Sequence, residues 1–154
     1  MLLFFLLPVM LYGYVPVQIP NGETLKWERD GEVKVFHLEA GWAEREFATG
    51  LTIRCFGYNG MTPGPVIEAQ EGDKVRIIVT NRLPEPTTIH WHGLRLPYQM
   101  DGVTGLTQAP IQPGESFTYE FTLKQSGTYM YHAHYDEIVQ QAMGLVGFFI
   151  HSHH

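Results

Sequence analysis

Hydrophobic and polar residues alternate along much of the chain from Val33 onward, and this period of two is typical of strands with one buried face. In Ser116–Leu123 every second side chain is large and apolar, and Ser, Thr and Glu lie between them. The same alternation, or a short apolar run, predicts further strands: Val33–Ala40, Leu51–Tyr58, Asp73–Asn81 and Leu145–His151. Turn-forming residues separate these segments, so the pattern predicts an antiparallel β-sandwich or barrel of about seven or eight short strands.

Two segments depart from this alternation. Gly93–Gly114 contains three prolines and several glycines without any sustained period. A loop of this length inside a small domain usually has a function, and this one begins directly after a pair of histidines. Asp136–Met143 is the one segment with helical character, which predicts a short helix there.

Composition and charge exclude several classes of function. The chain has 154 residues, enough for one domain with a sizeable core. Its formal net charge is −6 and it has no cluster of Lys or Arg, which argues against nucleic acid or an anionic membrane surface as a partner. The single cysteine, Cys55, excludes an internal disulfide framework and a four-cysteine metal site, and we expect it to be a buried strand residue.

The first fifteen residues are apolar and uncharged, as in the apolar region of a secretory signal. We therefore expect an exported protein, periplasmic or secreted, although a hydrophobic strand packed on the domain would give the same pattern. Pro8 and the short length argue against a stable membrane span. The expected organisation is a signal-like segment (1–15), a polar lead-in (16–32), the folded domain (33–151) and a short tail (152–154).

Four of the eight histidines form two His-x-His pairs, His90 with His92 and His132 with His134. Residues two apart on a strand point to the same face, so each pair presents two imidazoles together. If the two strands are neighbours, four imidazoles converge on one patch, which suits zinc, copper, iron or nickel. The spacing alone leaves the metal open, because three histidines and a water also make a catalytic zinc site.

The sequences around the pairs resemble the first cupredoxin domain of the multicopper oxidases, the family of laccases and copper-resistance oxidases. The resemblance runs from about Phe36 to His151 and implies an all-β, cupredoxin-like Greek-key β-sandwich. It is carried by four stretches of the chain: YNGMTPGPVIEAQEGDKVRIIVTN, TTIHWHG, MDGVTGLTQAPIQPGESFTYEF and GTYMYHAHYDE.

In that family, eight histidines hold three coppers that reduce dioxygen to water, and four of the eight come from the first domain. The resemblance implies that His90 is a ligand of the type 2 copper. It implies that His92, His132 and His134 serve the paired type 3 coppers. Asp101 matches an acidic residue that assists proton delivery, a role suited to a carboxylate in a loop. A simple turn at Asp101 is the alternative interpretation.

The resemblance also shows what this chain lacks. The family takes electrons from its substrate through a type 1 copper, held by a His-Cys-His segment in another domain. Here the corresponding residues are His132-Ala133-His134. The chain is therefore expected to be an oxidoreductase only when a second cupredoxin domain, a partner chain or a homo-oligomer completes it, and an isologous homodimer would bring eight histidines together. Alternatives are a non-catalytic copper carrier and, less favoured, a cupin-like metalloenzyme.

Overall fold

The computed structural model describes residues 16–153, which form nine strands, one 3-10 turn (Tyr98–Met100) and one short helix. The signal-like segment 1–15 and His154 lie outside the described residues. The elements are β1 (Trp27–Asp30), β2 (Val33–Ala48), β3 (Leu51–Tyr58), β4 (Ile67–Gln70), β5 (Lys74–Asn81), β6 (Ile89–His92), β7 (Ser116–Thr122), β8 (Gly127–Ala133), α1 (Glu137–Ala142) and β9 (Val146–Ser152).

These strands form two sheets that enclose one core, which confirms the predicted sandwich. One sheet has the order β1-β2-β5-β7, with β3 also paired to β2, and the other has the order β4-β9-β8-β6. The expectation of purely antiparallel pairing is wrong for two pairs, because β2 pairs parallel with β5 and β4 with β9. In each case the chain visits the other sheet between the two partners, and such a crossover permits parallel pairing.

Large aromatic and aliphatic side chains from both sheets fill the core, as the alternation predicts. Trp91 of β6 is fully buried at its centre. Its ring lies 5.2 Å from that of Tyr119 and 5.8 Å from that of Phe121, both on β7 in the opposite sheet. Loss of such a buried aromatic side chain typically costs about 3–5 kcal/mol, so β6 is firmly anchored by its inward face.

The chain before Val33 contributes to the sandwich. β1 pairs antiparallel with the start of β2, from Trp27 opposite Phe36 to Asp30 opposite Val33. Leu25 is buried in the core and its backbone N–H donates to the carbonyl of Val66. The polar lead-in therefore contains an edge strand, and the boundary of the domain at residue 33 stays a prediction.

The long segment Gly93–Gly114 folds back along the chain that leads into β6, an edge strand of its sheet. Thr87 and Ile111 exchange two backbone hydrogen bonds. The hydroxyls of Thr88 and Thr104 lie 2.8 Å apart. An edge strand covered in this way is protected from pairing with another chain. Within residues 16–153, none of the helical segments has the length and hydrophobicity needed to cross a bilayer.

Candidate metal centre

The pairing of β6 with β8 brings the two His-x-His pairs together. The strands are antiparallel neighbours, and His90 lies directly opposite His132. Ile89 and Trp91 point into the core and are fully buried, so the histidines between and after them face outward. The predicted convergence is therefore confirmed, with the ring centroids of neighbouring imidazoles 5.4–6.1 Å apart.

Three of the four histidines place ring nitrogens within 4.8 Å of one another, namely His90, His92 and His132. Nδ1 of His92 lies 3.1 Å from Nε2 of His132. Two nitrogens that bind one metal at about 2.0–2.1 Å in a tetrahedral arrangement lie roughly 3.3 Å apart. These two atoms therefore fit a shared metal ion without rearrangement.

Backbone carbonyls orient the two histidines that lie opposite each other. Nδ1 of His90 is 2.7 Å from the carbonyl oxygen of Asp101, and Nδ1 of His132 is 3.0 Å from that of Ala133. Because a carbonyl oxygen only accepts, Nδ1 of His90 carries the proton and its Nε2 keeps a free lone pair. Metal-binding histidines are commonly held in this way by their second nitrogen.

The environment of His132 favours its neutral, metal-binding form. Burial lowers the pKa of His132 below its ordinary value, and the neighbouring His90 and His92 add to the decrease. The hydrogen bond to Ala133 and the carboxylate of Glu137 oppose this decrease in pKa without reversing it. At neutral pH the ring therefore binds no second proton, and Nε2 is available to a metal.

His134 is the fourth predicted ligand and it is held differently from the others. It lies one residue beyond the end of β8, and its Nε2 is outside the group of three close nitrogens. Its ring centroid is nevertheless 5.4 Å from that of His90. Its backbone N–H donates to the carbonyl of Thr88, and its Nε2 lies 3.8 Å from the carboxylate of Glu137.

Asp101 lies beside the histidines, in the loop that covers the approach to β6. Its carboxylate Oδ1 is 3.5 Å from Nδ1 of His90, in addition to the carbonyl contact. The next residue, Gly102, has φ +79°, and a Cβ placed there would lie 1.6 Å from the carbonyl oxygen of Ile89. Only glycine permits this approach, which brings the turn and its carboxylate against the first histidine pair.

Cys55 is separate from the histidine group. It is buried on β3, as predicted, and its Sγ lies 3.7 Å from the carbonyl oxygen of Ala43. Burial raises the pKa of the Cys55 thiol, and the nearby Arg45 only partly offsets this. Among the described residues, Cys55 is not part of the group of close metal-binding side chains, which consists of His90, His92 and His132.

Residue patterns alone did not identify Gln140 and Gln141 of α1, which lie behind the histidines. Gln140 is fully buried although Ile138 and Val139 before it are 86% and 47% exposed. The amide nitrogen of Gln141 lies 3.0 Å from Nδ1 of His132. Hydrophobicity predicts the opposite burial on this helix, so no signal in the pattern indicates the two glutamines.

The two-sheet sandwich, with two His-x-His pairs on adjacent strands, defines a cupredoxin-like domain with a candidate copper site. The sequence profile of the multicopper oxidase family matches residues 39–153. This chain therefore belongs to the multicopper oxidase family, a membership that implies copper binding and excludes the cupin-like alternative.

Curated relatives share part of the chain at high identity. Laccase-1 of Cryptococcus neoformans var. grubii is 58% identical over 80 residues, which cover 50% of this chain and 13% of the relative. Copper resistance protein A of Pseudomonas syringae pv. tomato is 46% identical over 99 residues, 64% of this chain and 16% of the relative. The chain thus spans less than a fifth of the length of these proteins.

Solved structures of multicopper oxidases contain a domain with the same fold as this chain. The multicopper oxidase from Pseudomonas thermotolerans superposes with a TM-score of 0.76 at 40% identity, covering 79% of this chain and 30% of that one. The Campylobacter jejuni multicopper oxidase, described as a metallo-oxidase, has a TM-score of 0.73 at 38% identity over 88% of this chain and 31% of that one. Both proteins are much longer than the part that matches.

Proposed function

We propose that this chain supplies half of the histidine ligands of a trinuclear copper cluster, in an oxidase that reduces dioxygen while it oxidises a substrate. The observation that supports this most directly is the 3.1 Å approach of Nδ1 of His92 to Nε2 of His132, with His90 beside them. Three converging imidazoles without a carboxylate or thiolate in the group suit copper.

The four histidines would bind different coppers, according to the direction in which their ring nitrogens point. His92 and His132 face each other and would share one type 3 copper. His134, beyond the end of β8, would serve the second type 3 copper. His90 directs its Nε2 away from the Asp101 carbonyl and would hold the type 2 copper. Copper, when bound, supplies the one-electron chemistry that dioxygen reduction needs.

Asp101 is the proposed proton relay. Dioxygen reduction consumes protons, and a carboxylate that is 35% exposed can take them from solvent. Its Oδ1, 3.5 Å from Nδ1 of His90, would hold a proton next to the ligand set. The carbonyl of the same residue fixes the ring of His90 at the same time, so one residue serves orientation and proton supply.

Completion of the site requires a second surface. His92 is exposed, and three apolar side chains beside His134 are also largely exposed, namely Tyr135, Ile138 and Val139. A second cupredoxin domain, a partner chain or a second copy of this chain would cover this face and add the remaining histidines. The type 1 copper would belong to the partner, because Cys55 lies apart from the histidines. We also propose export, on the basis of the apolar residues 1–15.

The exposure of His92 also supports a second candidate function. A metal held at an open edge exchanges more readily than one enclosed on all sides, which is the property of a copper carrier. In this alternative, the chain binds copper without reducing dioxygen.

Native mass spectrometry of the full chain, titrated separately with copper and zinc, tests these proposals. We expect three coppers per dimer if a two-fold assembly completes the cluster, and oxygen consumption is then measured on that species. One or two coppers on a monomer, without oxygen consumption, would support the carrier function instead. Preferential binding of a single zinc would contradict both.

A further inference from the structure

The four histidines differ in what fixes their positions. His90, His92 and His132 lie inside the paired segments of β6 and β8, where the ladder of backbone hydrogen bonds sets their spacing. The paired register ends at Ile89 opposite Ala133, so His134 lies beyond it. One backbone hydrogen bond to Thr88 holds His134 itself, and the turn that follows it is held by contacts outside the sheet.

Gln140 of α1 makes three hydrogen bonds to the segment that leads into β6. Its Nε2 donates to Oε1 of Glu85 at 2.7 Å and to the carbonyl of Pro86 at 2.9 Å. Its Oε1 accepts from the hydroxyl of Thr87 at 2.8 Å. Gln140 and Thr87 are both fully buried, so the bond between these two side chains is shielded from water.

The hydrogen bonds of Gln140 join the two chain segments that carry the histidine pairs. Glu85–Thr87 precedes the first pair by a few residues, and α1 begins three residues after His134. Between these points lies one further connection, the hydrogen bond from the N–H of His134 to the carbonyl of Thr88. The turn that carries His134 is therefore held at one end by Thr88 and at the other by Gln140.

We propose that Gln140 is a positioning residue that fixes α1 against Glu85–Thr87 and so holds His134 at the distance from His90 that the ligand set requires. The inference depends on the proposed function only for its copper readout. The side-chain hydrogen bonds of Gln140 go to Glu85, Pro86 and Thr87 and not to a histidine, so it acts on the site through the helix. Without its amide, the half-buried carboxylate of Glu85, the carbonyl of Pro86 and the buried hydroxyl of Thr87 lose their shared partner, and α1 can shift with its turn.

The experiment compares Gln140→Leu with the unchanged chain by nuclear Overhauser contacts between histidine rings in the metal-free protein. We expect the contact between His90 and His134 to weaken or vanish. The contacts of His92 with His90 and with His132, set by the strand ladder, should remain and serve as the internal control. Glu85→Gln retains an oxygen acceptor for Gln140, so this variant should keep all three contacts.

Copper affinity gives the second readout. We expect Gln140→Leu to weaken copper binding by about 10–100-fold, the usual cost of losing a residue that supports a ligand. In a background that already carries His134→Ala, the same substitution should have a much smaller effect, because its main route to the site is lost and only the contact of Gln141 with His132 remains. A full additional loss in that background would overturn the proposal. If the unchanged chain bound no copper, the proposed function would fail while the ring contacts still tested the positioning.

A variant of smaller effect covers the case in which Gln140→Leu does not fold. Thr87→Val keeps the shape of the side chain and removes one of the three hydrogen bonds. It should weaken the contact between His90 and His134 and reduce copper affinity in the same direction, by a smaller factor. Folded variants with unchanged ring contacts and unchanged copper affinity would show that Gln140 serves the fold alone, which would overturn the inference.

Discussion

At the scale of single residues, backbone groups do as much as side chains to prepare the site. The carbonyl oxygen of Asp101 determines which nitrogen of the His90 ring is protonated, and so which lone pair is free for a metal. Gly102 permits this contact because its backbone lies against that of Ile89. The candidate ligands are therefore visible in the sequence, whereas the orientation of their rings depends on backbone groups that no sequence motif marks.

Gly102 and Gly105 form a matched pair of test positions in the same loop. Both have positive φ, +79° and +75°, but a Cβ at Gly105 would meet nothing within 4 Å. We expect Gly105→Ala to lower the free energy of unfolding by about 1–2 kcal/mol, from backbone strain alone. Gly102→Ala should cost about 1–3 kcal/mol more, because the added methyl also displaces the backbone of Ile89. Chemical denaturation measures both.

The same pair of variants separates stability from metal binding. Gly102→Ala should also weaken copper binding, because the displaced loop carries the carbonyl that orients His90. Gly105→Ala should leave copper affinity unchanged. Equal effects of the two substitutions on copper affinity would show that the contact between Asp101 and His90 does not depend on the close approach at Gly102.

A second residue-scale prediction concerns His92, which is exposed and therefore contributes little to the fold. We expect His92→Ala to leave unfolding unchanged and to weaken copper binding by more than the roughly 10–100-fold typical of a supporting residue. His37, exposed on β2 in the other sheet, is the control, and His37→Ala should not change copper binding. Isothermal titration with copper measures both, and a similar loss in the two variants would indicate non-specific binding.

At the scale of elements, the alternation of apolar residues predicted the strands that face one core, such as β5 and β7. It did not predict that β2 continues to Ala48, because the exposed second half of this strand has a mixed pattern. Nor did it indicate β4, which has only four residues. Parallel pairing depends on contacts far apart along the chain, which no local pattern records. Burial of Gln140 on α1 is likewise determined by the partners at Glu85–Thr87.

The strand β9 carries a histidine whose titration should affect the stability of the fold. Burial lowers the pKa of His151, opposed by its hydrogen bond to the carbonyl of Gln125 and by the carboxylates of Asp73 and Glu71. Its Nδ1 lies 3.0 Å from that carbonyl, while Nε2 is buried without a hydrogen-bond partner. A proton on Nε2 would therefore be unpaired and costly.

The direction of the pH dependence follows from how many protons His151 binds in the folded and in the unfolded chain. In unfolded chains the pKa of histidine is about 6.5, so between that value and the lower pKa of the folded state the unfolded chain binds more protons. The free energy of unfolding should rise with pH through this window. The stabilisation from neutral His151 is complete above about pH 6.5, and it is lost as pH falls through the pKa of the folded state. In His151→Phe this part of the slope should disappear, while the part from His132 remains.

Urea denaturation of the metal-free chain at a series of pH values tests this prediction. The variant is compared with the unchanged chain by the slope of stability against pH, because the lost hydrogen bond to Gln125 alters stability at every pH. An unchanged slope in His151→Phe would show that His151 is not protonated differently in the two states.

At the scale of the whole molecule, the histidine group lies on an outward face beside apolar side chains that the described part of the chain does not cover. The relatives are several times longer than this chain, and the matching domain is only a small part of each. This agrees with a site that is completed by another domain or by a second copy. The net charge of −6 makes a basic or neutral partner surface more favourable than an acidic one.

Ile138 tests whether this face is covered in an assembly. It is 86% exposed, so Ile138→Lys should not affect folding. We expect the substitution to weaken the copper-loaded dimer by at least about tenfold in dissociation constant, or 1.4 kcal/mol, because it places a charge in a dry contact. Trp27→Gln, at the edge of the other sheet, should have no effect on assembly. Native mass spectrometry at several concentrations measures both, and equal dimer populations would exclude this face from the interface.

The position of β9 has a consequence for how the protein is made. This strand follows all the others along the described chain, yet it lies in the middle of its sheet, between β4 and β8. During translation, at about 5–20 residues per second, both histidine pairs are synthesised before the strand that supports β8. The sheet that carries the histidine pairs can close only after that point, so formation of the candidate site depends on the strand of the described chain that is made last.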